Sequence, residues 1–292
     1  MAELKKIGFV GTGIMGAAMA GHLMDAGYEL TVYNRTKAKA EALLQRGARW
    51  ADSAGACAKG QDVVITIVGY PKDVEECYLG EDGIVANAKA GAYLVDMTTS
   101  APALAVRIYE AAKQAGMHAL DAPVTGGDTG AKAGTLTVLC GGDEADFNVL
   151  RPVFEAMGKT IVYEGKAGSG QHVKMCNQIA IAGALAGACE AISYARAAGL
   201  DEEKMLATIG TGAAGSFQLS NVAKRGMEGD FAPGFMLKHF VKDMGLAEEA
   251  ARQNGRDLEI LDHVLRICRE MEAEGYGEEG TQSLLKHYDG NR

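Results

Sequence analysis

Residues 6–27 read KIGFVGTGIMGAAMAGHLMDAG, and this stretch decides the fold. KIGFV is a short β-rich run. After it Met15, Met19 and Leu23 recur at helical spacing between Ile14 and Asp25, and Gly27 follows as a left-handed cap. Between strand and helix lies Gly11-Thr12-Gly13-Ile14-Met15-Gly16, a G-x-G-x-x-G string. Such a string is a weak signal by itself. Placed after a strand and opening a helix, at the head of a β-α-β unit, it is a dinucleotide-binding turn. Gly11 permits the tight turn, Gly13 lets backbone approach a pyrophosphate, and Gly16 lets the helix pack on the strand. The phosphates then meet free N–H groups at the positive end of the helix.

The pattern continues outward from this turn. ELTVYN (29–34) reads as strand, 37–46 as helix with Gly47 as cap, and DVVITIVG (62–69) as a fully apolar buried strand. GAYLVDMTT (91–99), a helix over 101–115, and MHALDAPVT (117–125) repeat the alternation. TLTVLCGG (135–142), a helix over 143–157 capped by Gly158, and TIVYEG (160–165) complete it. Near-continuous apolar strands alternating with helices imply a parallel sheet covered on both faces.

Past residue 165 the character changes. A helix over about 170–198 is rich in Ala and Gly, with Gly183 and Gly187 spaced for close approach of another helix. Further helices are expected over 202–209, 217–226, 238–254 and 259–275, and a polar tail over 286–292 is expected to fray. The fold class is therefore an α/β Rossmann-type N-terminal domain (1–165) with a mainly parallel sheet. The long helix joins it to an all-α C-terminal domain (166–292).

Composition narrows the function. With 48% hydrophobic residues the 292-residue chain can bury a large core, so its 39 glycines mark neither collagen nor a linker. A formal charge of −9 argues against broad nucleic-acid binding, which needs a cationic face. The six cysteines form no CxxC pair, and no His or Cys spacing suits a metal, so reduced buried thiols and no metal site are expected. The longest apolar run, 179–189, falls short of a membrane span. The apolar N-terminal stretch is broken by Gly8, Gly11 and Gly13 and carries no A-x-A site, so a cytoplasmic protein is expected.

The end of the second strand chooses the cofactor. NAD sites place Asp or Glu there to hold the ribose 2′-hydroxyl. This chain has Asn34-Arg35-Thr36, followed by Lys37 and Lys39. A carboxylate would repel a 2′-phosphate, whereas Arg35 can stack on adenine and pair with phosphate, so NADPH is expected in preference to NADH. Two constellations carry the chemistry. In Asp121-Ala-Pro-Val-Thr125-Gly126-Gly127-Asp128 a strand ends in a hydroxyl and two glycines, a nest able to hold a small carboxylate. In Gly168-Ser-Gly170-Gln-His-Val-Lys174-Met-Cys-Asn177-Gln178 helical spacing puts Lys174, Asn177 and Gln178 on one face of an otherwise almost uncharged helix. Desolvation there would bring the lysine towards the range useful in proton transfer.

These segments together resemble the β-hydroxyacid dehydrogenase family, from about Lys6 to beyond Ala247. That family includes 3-hydroxyisobutyrate dehydrogenases, tartronate semialdehyde reductases and glyoxylate/succinic semialdehyde reductases. The resemblance implies that Gly11, Thr12, Gly13, Ile14, Met15, Gly16, Asn34, Arg35, Thr36, Val68, Thr99 and Lys242 contact the cofactor. It implies that Thr125, Gly126 and Gly127 anchor the substrate, that Lys174 is the catalytic lysine, and that Asn177, Gln178, Phe235 and Asp243 line or support the substrate side. The Asn-Arg-Thr and Phe…Leu-Lys-His segments look most like the NADPH-using semialdehyde reductases. Two positions depart from the pattern: Thr125 stands where the family usually has Ser, and Gln178 where many members have Asn. Tartronate semialdehyde reductases share the Asn177-Gln178 type of pair.

The implied activity is an NADP(H)-dependent interconversion of a small β- or γ-hydroxy acid and its semialdehyde, with a homodimer or homotetramer as the assembly. A 3-hydroxyisobutyrate dehydrogenase or tartronate semialdehyde reductase is the alternative within the family. A non-catalytic dinucleotide-binding module needs neither Lys174 nor a carboxylate nest, and related imine reductases replace the lysine.

Overall fold

The computed structural model describes residues 4–290. The chain divides into two compact units, one ending at Lys174 and the other beginning at Met175.

The first unit is built on one sheet. Its strands are β1 (Lys6–Val10), β2 (Glu29–Tyr33), β3 (Arg49–Trp50), β4 (Val63–Thr66), β5 (Tyr93–Asp96), β6 (His118–Asp121), β7 (Val124–Thr125), β8 (Leu136–Gly141) and β9 (Gly158–Gly165). The order is β3-β2-β1-β4-β5-β6-β8-β7, with β9 paired to β8. All pairs from β3 through to β6 are parallel, while β8 runs antiparallel to both β6 and β7. The first six strands thus follow the dinucleotide-binding order, and the direction of winding reverses between β1 and β4. Ligands settle outside the carboxyl ends of strands at such a point.

Strand periodicity explains why both faces are buried. Ile7, Phe9, Val63, Ile65 and Val95 enter one core with Met19 and Leu23 of helix Ile14–Asp25 and Phe147, Leu150 and Phe154 of helix Glu144–Glu155. The alternate residues Val10, Val64 and Leu94 enter the other core with Val74 and Tyr78 of helix Pro71–Leu79 and Leu104, Ile108 and Ala112 of helix Pro102–Gln114. A residue and its neighbour therefore face opposite layers, which is why these strands read as unbroken apolar runs.

The second unit is helical. Its core takes Met175, Ala182, Leu185, Cys189 and Ile192 from helix Ser169–Ala197, at spacings of three, four and seven. Phe240, Met244 and Ala247 of helix Leu237–Gln253 and Leu261, Val264, Leu265 and Cys268 of helix Glu259–Ala273 complete it. Helix Ser169–Ala197 is long and apolar enough to cross a membrane by length and composition, and this apolar side is the one used in the core.

Several expectations are corrected. Gly158 is not a helix cap. It begins β9, where a Cβ would lie 2.5 Å from the Leu136 carbonyl oxygen, so it is glycine because β8 passes so close. Gly187 has no atom within 4 Å of where its Cβ would be, so close packing within the unit does not explain it. The frayed tail is instead helix Leu284–Gly290, held by Leu284 and Leu285 in the core and by an Arg196–Asp289 ion pair; residues 291 and 292 lie outside the described ones. Cysteines 57, 140, 189 and 268 are buried, but Cys176 is exposed.

Candidate active site

The turn after β1 fits a dinucleotide on three separate observations. A Cβ on Gly11, whose φ is +100°, would lie 2.1 Å from the Ile67 carbonyl oxygen, and one on Gly16 would lie 1.9 Å from that of Gly11. Only glycine leaves room for these approaches. Around Gly13, by contrast, the space is open to 4 Å. Two glycines are thus consumed by packing and the third leaves a free cradle, which is the division of labour a pyrophosphate requires. Thr12 is almost fully buried, and its Oγ1 has no hydrogen-bond partner among the described residues.

At the end of β2 the Asn34 side chain accepts a hydrogen bond from Thr12 N at 3.1 Å and donates one to the Thr36 carbonyl at 2.9 Å. It thereby ties the residues following β2 to the glycine turn. Arg35 is three-quarters exposed, with Nη1 donating to Asp73 Oδ1 at 3.1 Å. Asp73 itself is nearly buried and accepts from Tyr70 N through its other oxygen, at the start of helix Pro71–Leu79. The guanidinium is tethered on one side and solvent-facing on the other. Sequence reading missed Asp73, although Tyr70-Pro71 followed by Asp73 is a legible helix start. Val68 N donates to Thr98 Oγ1 at 3.0 Å, so Val68 and Thr99, both expected from the sequence to meet the cofactor, belong to segments bonded to each other.

Thr125 closes β7 opposite Thr137, and Gly126 (φ +128°) and Gly127 (φ +64°) turn the chain into helix Gly127–Ala133. The expected loop nest is therefore a strand-to-helix turn, with N–H groups at a helix start. Sequence reading also missed what holds it: His22 Nε2 lies 3.0 Å from the Ala131 carbonyl and 3.1 Å from that of Lys132, joining the far end of this helix to helix Ile14–Asp25.

Lys174 is 7% exposed, six residues into helix Ser169–Ala197. Burying an ammonium group is costly unless it is paired or serves chemistry. The start of its helix is capped from a distant strand, by Asp121 at the end of β6. Nearby Asp96, fully buried and hydrogen-bonded to Thr66 and Thr98, is pushed up to about 6, chiefly by burial and also by the Asp121 charge.

The remaining site positions lie in the helical unit, where four of them come together. Gln178 Nε2 donates to Asp243 Oδ2 at 2.8 Å, Asn177 Nδ2 donates to Gln178 Oε1 at 2.7 Å, and Lys242 Nζ lies 3.0 Å from Asp243 Oδ1. Gln178 is one methylene longer than an Asn would be, and its amide reaches Asp243. Phe235 stands apart from this chain of polar groups, edge-on to Phe240 with ring centres 6.0 Å apart. His239 is held below its ordinary value by burial and then by Lys242 and Lys238, so it stays neutral at pH 7.

Comparisons with known proteins bear on this arrangement. Residues 6–165 match the family model for the NAD binding domain of 6-phosphogluconate dehydrogenase. Residues 168–288 match that described as NAD-binding of NADP-dependent 3-hydroxyisobutyrate dehydrogenase. The chain belongs to the β-hydroxyacid dehydrogenase family. As a β-hydroxyacid dehydrogenase it is an NAD(P)-dependent enzyme acting on hydroxy acids. It is 52% identical to the uncharacterized oxidoreductase YkwC of Bacillus subtilis, over 97% of this chain and 98% of that one. It is 37% identical to the NAD-dependent L-serine dehydrogenase of Pseudomonas aeruginosa, over 98% of both chains. Among solved structures, the Mycobacterium tuberculosis 3-hydroxyisobutyrate dehydrogenase with L-serine superposes with a TM-score of 0.90 at 28% identity, over 98% of this chain and 99% of that one.

Proposed function

We propose that this dehydrogenase uses NADP(H) in preference to NAD(H) and interconverts a small hydroxy acid and its aldehyde-acid: a β- or γ-hydroxy acid and its semialdehyde, as a succinic semialdehyde reductase does, or glycolate and glyoxylate, as a glyoxylate reductase does. The observation that carries the chemistry is the buried Lys174 on its capped helix. When bound, the nicotinamide supplies or accepts the hydride. Lys174, as ammonium, gives a proton from Nζ to the carbonyl oxygen in reduction. As neutral amine it takes the hydroxyl proton in oxidation. The Thr125 hydroxyl and the N–H groups of Gly126 and Gly127 hold the substrate carboxylate, and the linked Asn177, Gln178 and Asp243, with Phe235, are assigned to substrate positioning. Acid–base help of this type contributes about 10²–10⁴-fold.

The cofactor half of the proposal rests on Asn34-Arg35-Thr36, which places a cation and no carboxylate of its own at the end of β2, with Asp73 pairing to Arg35 from a separate segment. Lys242 is assigned to the cofactor as well. A 3-hydroxyisobutyrate dehydrogenase is the second reading, favoured by the family model matching residues 168–288. NADPH oxidation measured with glyoxylate, succinic semialdehyde, tartronate semialdehyde and methylmalonate semialdehyde separates the two. Preference for either of the first two supports the proposal, and preference for methylmalonate semialdehyde supports the second reading. No turnover of NADPH with any of them would refute both substrate readings.

We extend the proposal to a cytoplasmic homodimer or homotetramer. The helical unit leaves Tyr194 72% exposed and the space around Gly187 open, on the same long helix. Light scattering on the purified chain tests the assembly, and a monomeric mass would refute it.

A further inference from the structure

A helix usually receives its N-terminal cap from the residue immediately before it. Helix Ser169–Ala197 receives its cap from β6. Asp121 Oδ1 accepts from Gly168 N at 2.7 Å and Oδ2 accepts from Gln171 N at 2.8 Å, across 47 and 50 residues of chain. Gln171 is itself fully buried and extends the connection. Its Nε2 donates to the Thr98 carbonyl at 2.7 Å and its Oε1 accepts from Ser100 N at 2.9 Å. Thr98 in turn accepts from Val68 N and donates its own N–H to Asp96 Oδ1. The helix start, the segment 98–100 after β5 and the segment after β4 are therefore one hydrogen-bonded unit.

Room for this clamp is reserved by two glycines. A Cβ on Gly141 would lie 2.6 Å from Asp121 Oδ1, and one on Gly170 would lie 2.3 Å from the Leu139 carbonyl and 2.9 Å from Asp121 Oδ2. The arrangement is also costly. Asp121 is the register partner of Asp96 on the neighbouring strand, so two carboxylates are buried side by side. Burying charge in this way disfavours folding unless hydrogen bonds offset it. A local serine or aspartate would cap a helix at far lower cost, so stability alone does not explain the choice.

We propose that Asp121, with Gln171 as its second anchor, is a positioning residue that sets Lys174 against the strand ends carrying Val68 and Thr99. Lys174 follows Gln171 by three residues, about one turn along the same face. A clamp on Gln171 thus fixes where the lysine stem leaves the helix. This inference rests on the reading of Lys174 as the acid–base group, and Asp121 itself touches no reacting atom in it.

The test is Asp121→Asn, made alone and in a Lys174→Ala background. The isosteric amide has one acceptor oxygen and cannot receive both N–H groups. With the substrate of the semialdehyde panel that turns over, Asp121→Asn is expected to lower kcat roughly 10–100-fold, the scale of a misplacement of up to 1 Å, with NADPH binding by fluorescence weakened far less than kcat. In the Lys174→Ala background, read with ethylamine added to raise the residual rate, the same change should cost less than about twofold. Equal losses in both backgrounds, or an unchanged kcat in the single variant, would overturn the proposal. Full activity of Lys174→Ala alone would instead overturn the reading of the lysine. Hydrogen exchange gives a readout independent of turnover: Asp121→Asn should deprotect 98–100 together with 168–174. Loosening of the helix start alone would sink the clamp. Should Asp121→Asn fail to fold, Gln171→Met keeps the side-chain length and removes both bonds to 98–100, with the same outcomes decisive.

Discussion

Cofactor preference can be perturbed from two sides, because Arg35 faces solvent on one edge and Asp73 on the other. Arg35→Ala removes the only guanidinium among residues 34–36. A charge-assisted hydrogen bond to phosphate is worth about 1.5–3 kcal/mol, and with the side chain 76% exposed the lower end applies. The expected loss in kcat/KM for NADPH is therefore about tenfold, with NADH changed less than about twofold. Asp73→Asn should act in the opposite direction. Its carboxylate accepts from Arg35 at 3.1 Å and from Tyr70 N at 3.1 Å, so in the amide the single oxygen stays with Tyr70 N and the arginine is released. Removing a negative charge from the neighbourhood of a phosphate in water-like surroundings relieves less than about 1 kcal/mol per unit charge, so NADPH should gain about threefold. The assay is the ratio of kcat/KM values for NADPH and NADH at fixed pH and two ionic strengths. Salt should compress both effects, since the groups are exposed. Parallel loss of NADPH and NADH activity in Arg35→Ala would refute the assignment. A fall in NADPH activity in Asp73→Asn would show that tethering the arginine matters more than the charge it faces.

Other expectations follow from buried and paired groups. Lys174→Ala or Lys174→Arg should lower turnover by about 10²–10⁴-fold while NADPH binding, followed by fluorescence, is retained. Asp96 is raised to about 6 in the folded chain, so between about pH 4 and pH 6 the folded state holds a proton the unfolded state has lost. Stability should fall as pH rises through that window, and Asp96→Asn should remove this slope, of order 1–3 kcal/mol, in urea titrations. Asp62 has the opposite sign. Lys89 at 2.6 Å and the N–H groups of Lys5 and Lys6 outweigh its burial and hold it down to about 2. Its contribution, about 1 kcal/mol after allowing for solvent contact, is present above pH 4 and lost as pH falls towards 2. Asp62→Asn should therefore destabilise at pH 7 and make no difference at pH 2.

Local signals were legible and tertiary bonds were not. The G-x-G-x-x-G turn, the strands of β1, β4 and β5 and the long helix follow from period and spacing, because one face or both faces of each element is apolar. Gly158 misled because a glycine after a helix reads as a cap; its real constraint, a carbonyl of β8 at 2.5 Å, comes from a segment more than 20 residues earlier. The polar tail read as frayed because its helix depends on Leu284 and Leu285 finding a core that local polarity conceals. Within the site the same division holds. Thr125, Lys174 and Arg35 are proposed from their neighbours in sequence, whereas Asp73, Asp121, Gln171 and His22 form hydrogen bonds across 38, 47, 73 and 109 residues.

That division has a chemical consequence. Substrate and cofactor groups must be reachable, so they stand at strand ends and helix starts where sequence motifs occur. The residues that hold them must be out of water, because a hydrogen bond open to solvent exchanges too readily to fix a position. Asp121 and Gln171 are 3% and 0% exposed, while Arg35 is mostly exposed. The lysine end of the site should therefore tolerate far less change than the adenine end. Paired substitutions express the contrast: Arg35→Lys should cost a few-fold in one cofactor only, and Gln171→Met should cost turnover with either. If both variants instead shifted cofactor preference and left kcat intact, the buried clamp would have no part in setting the lysine.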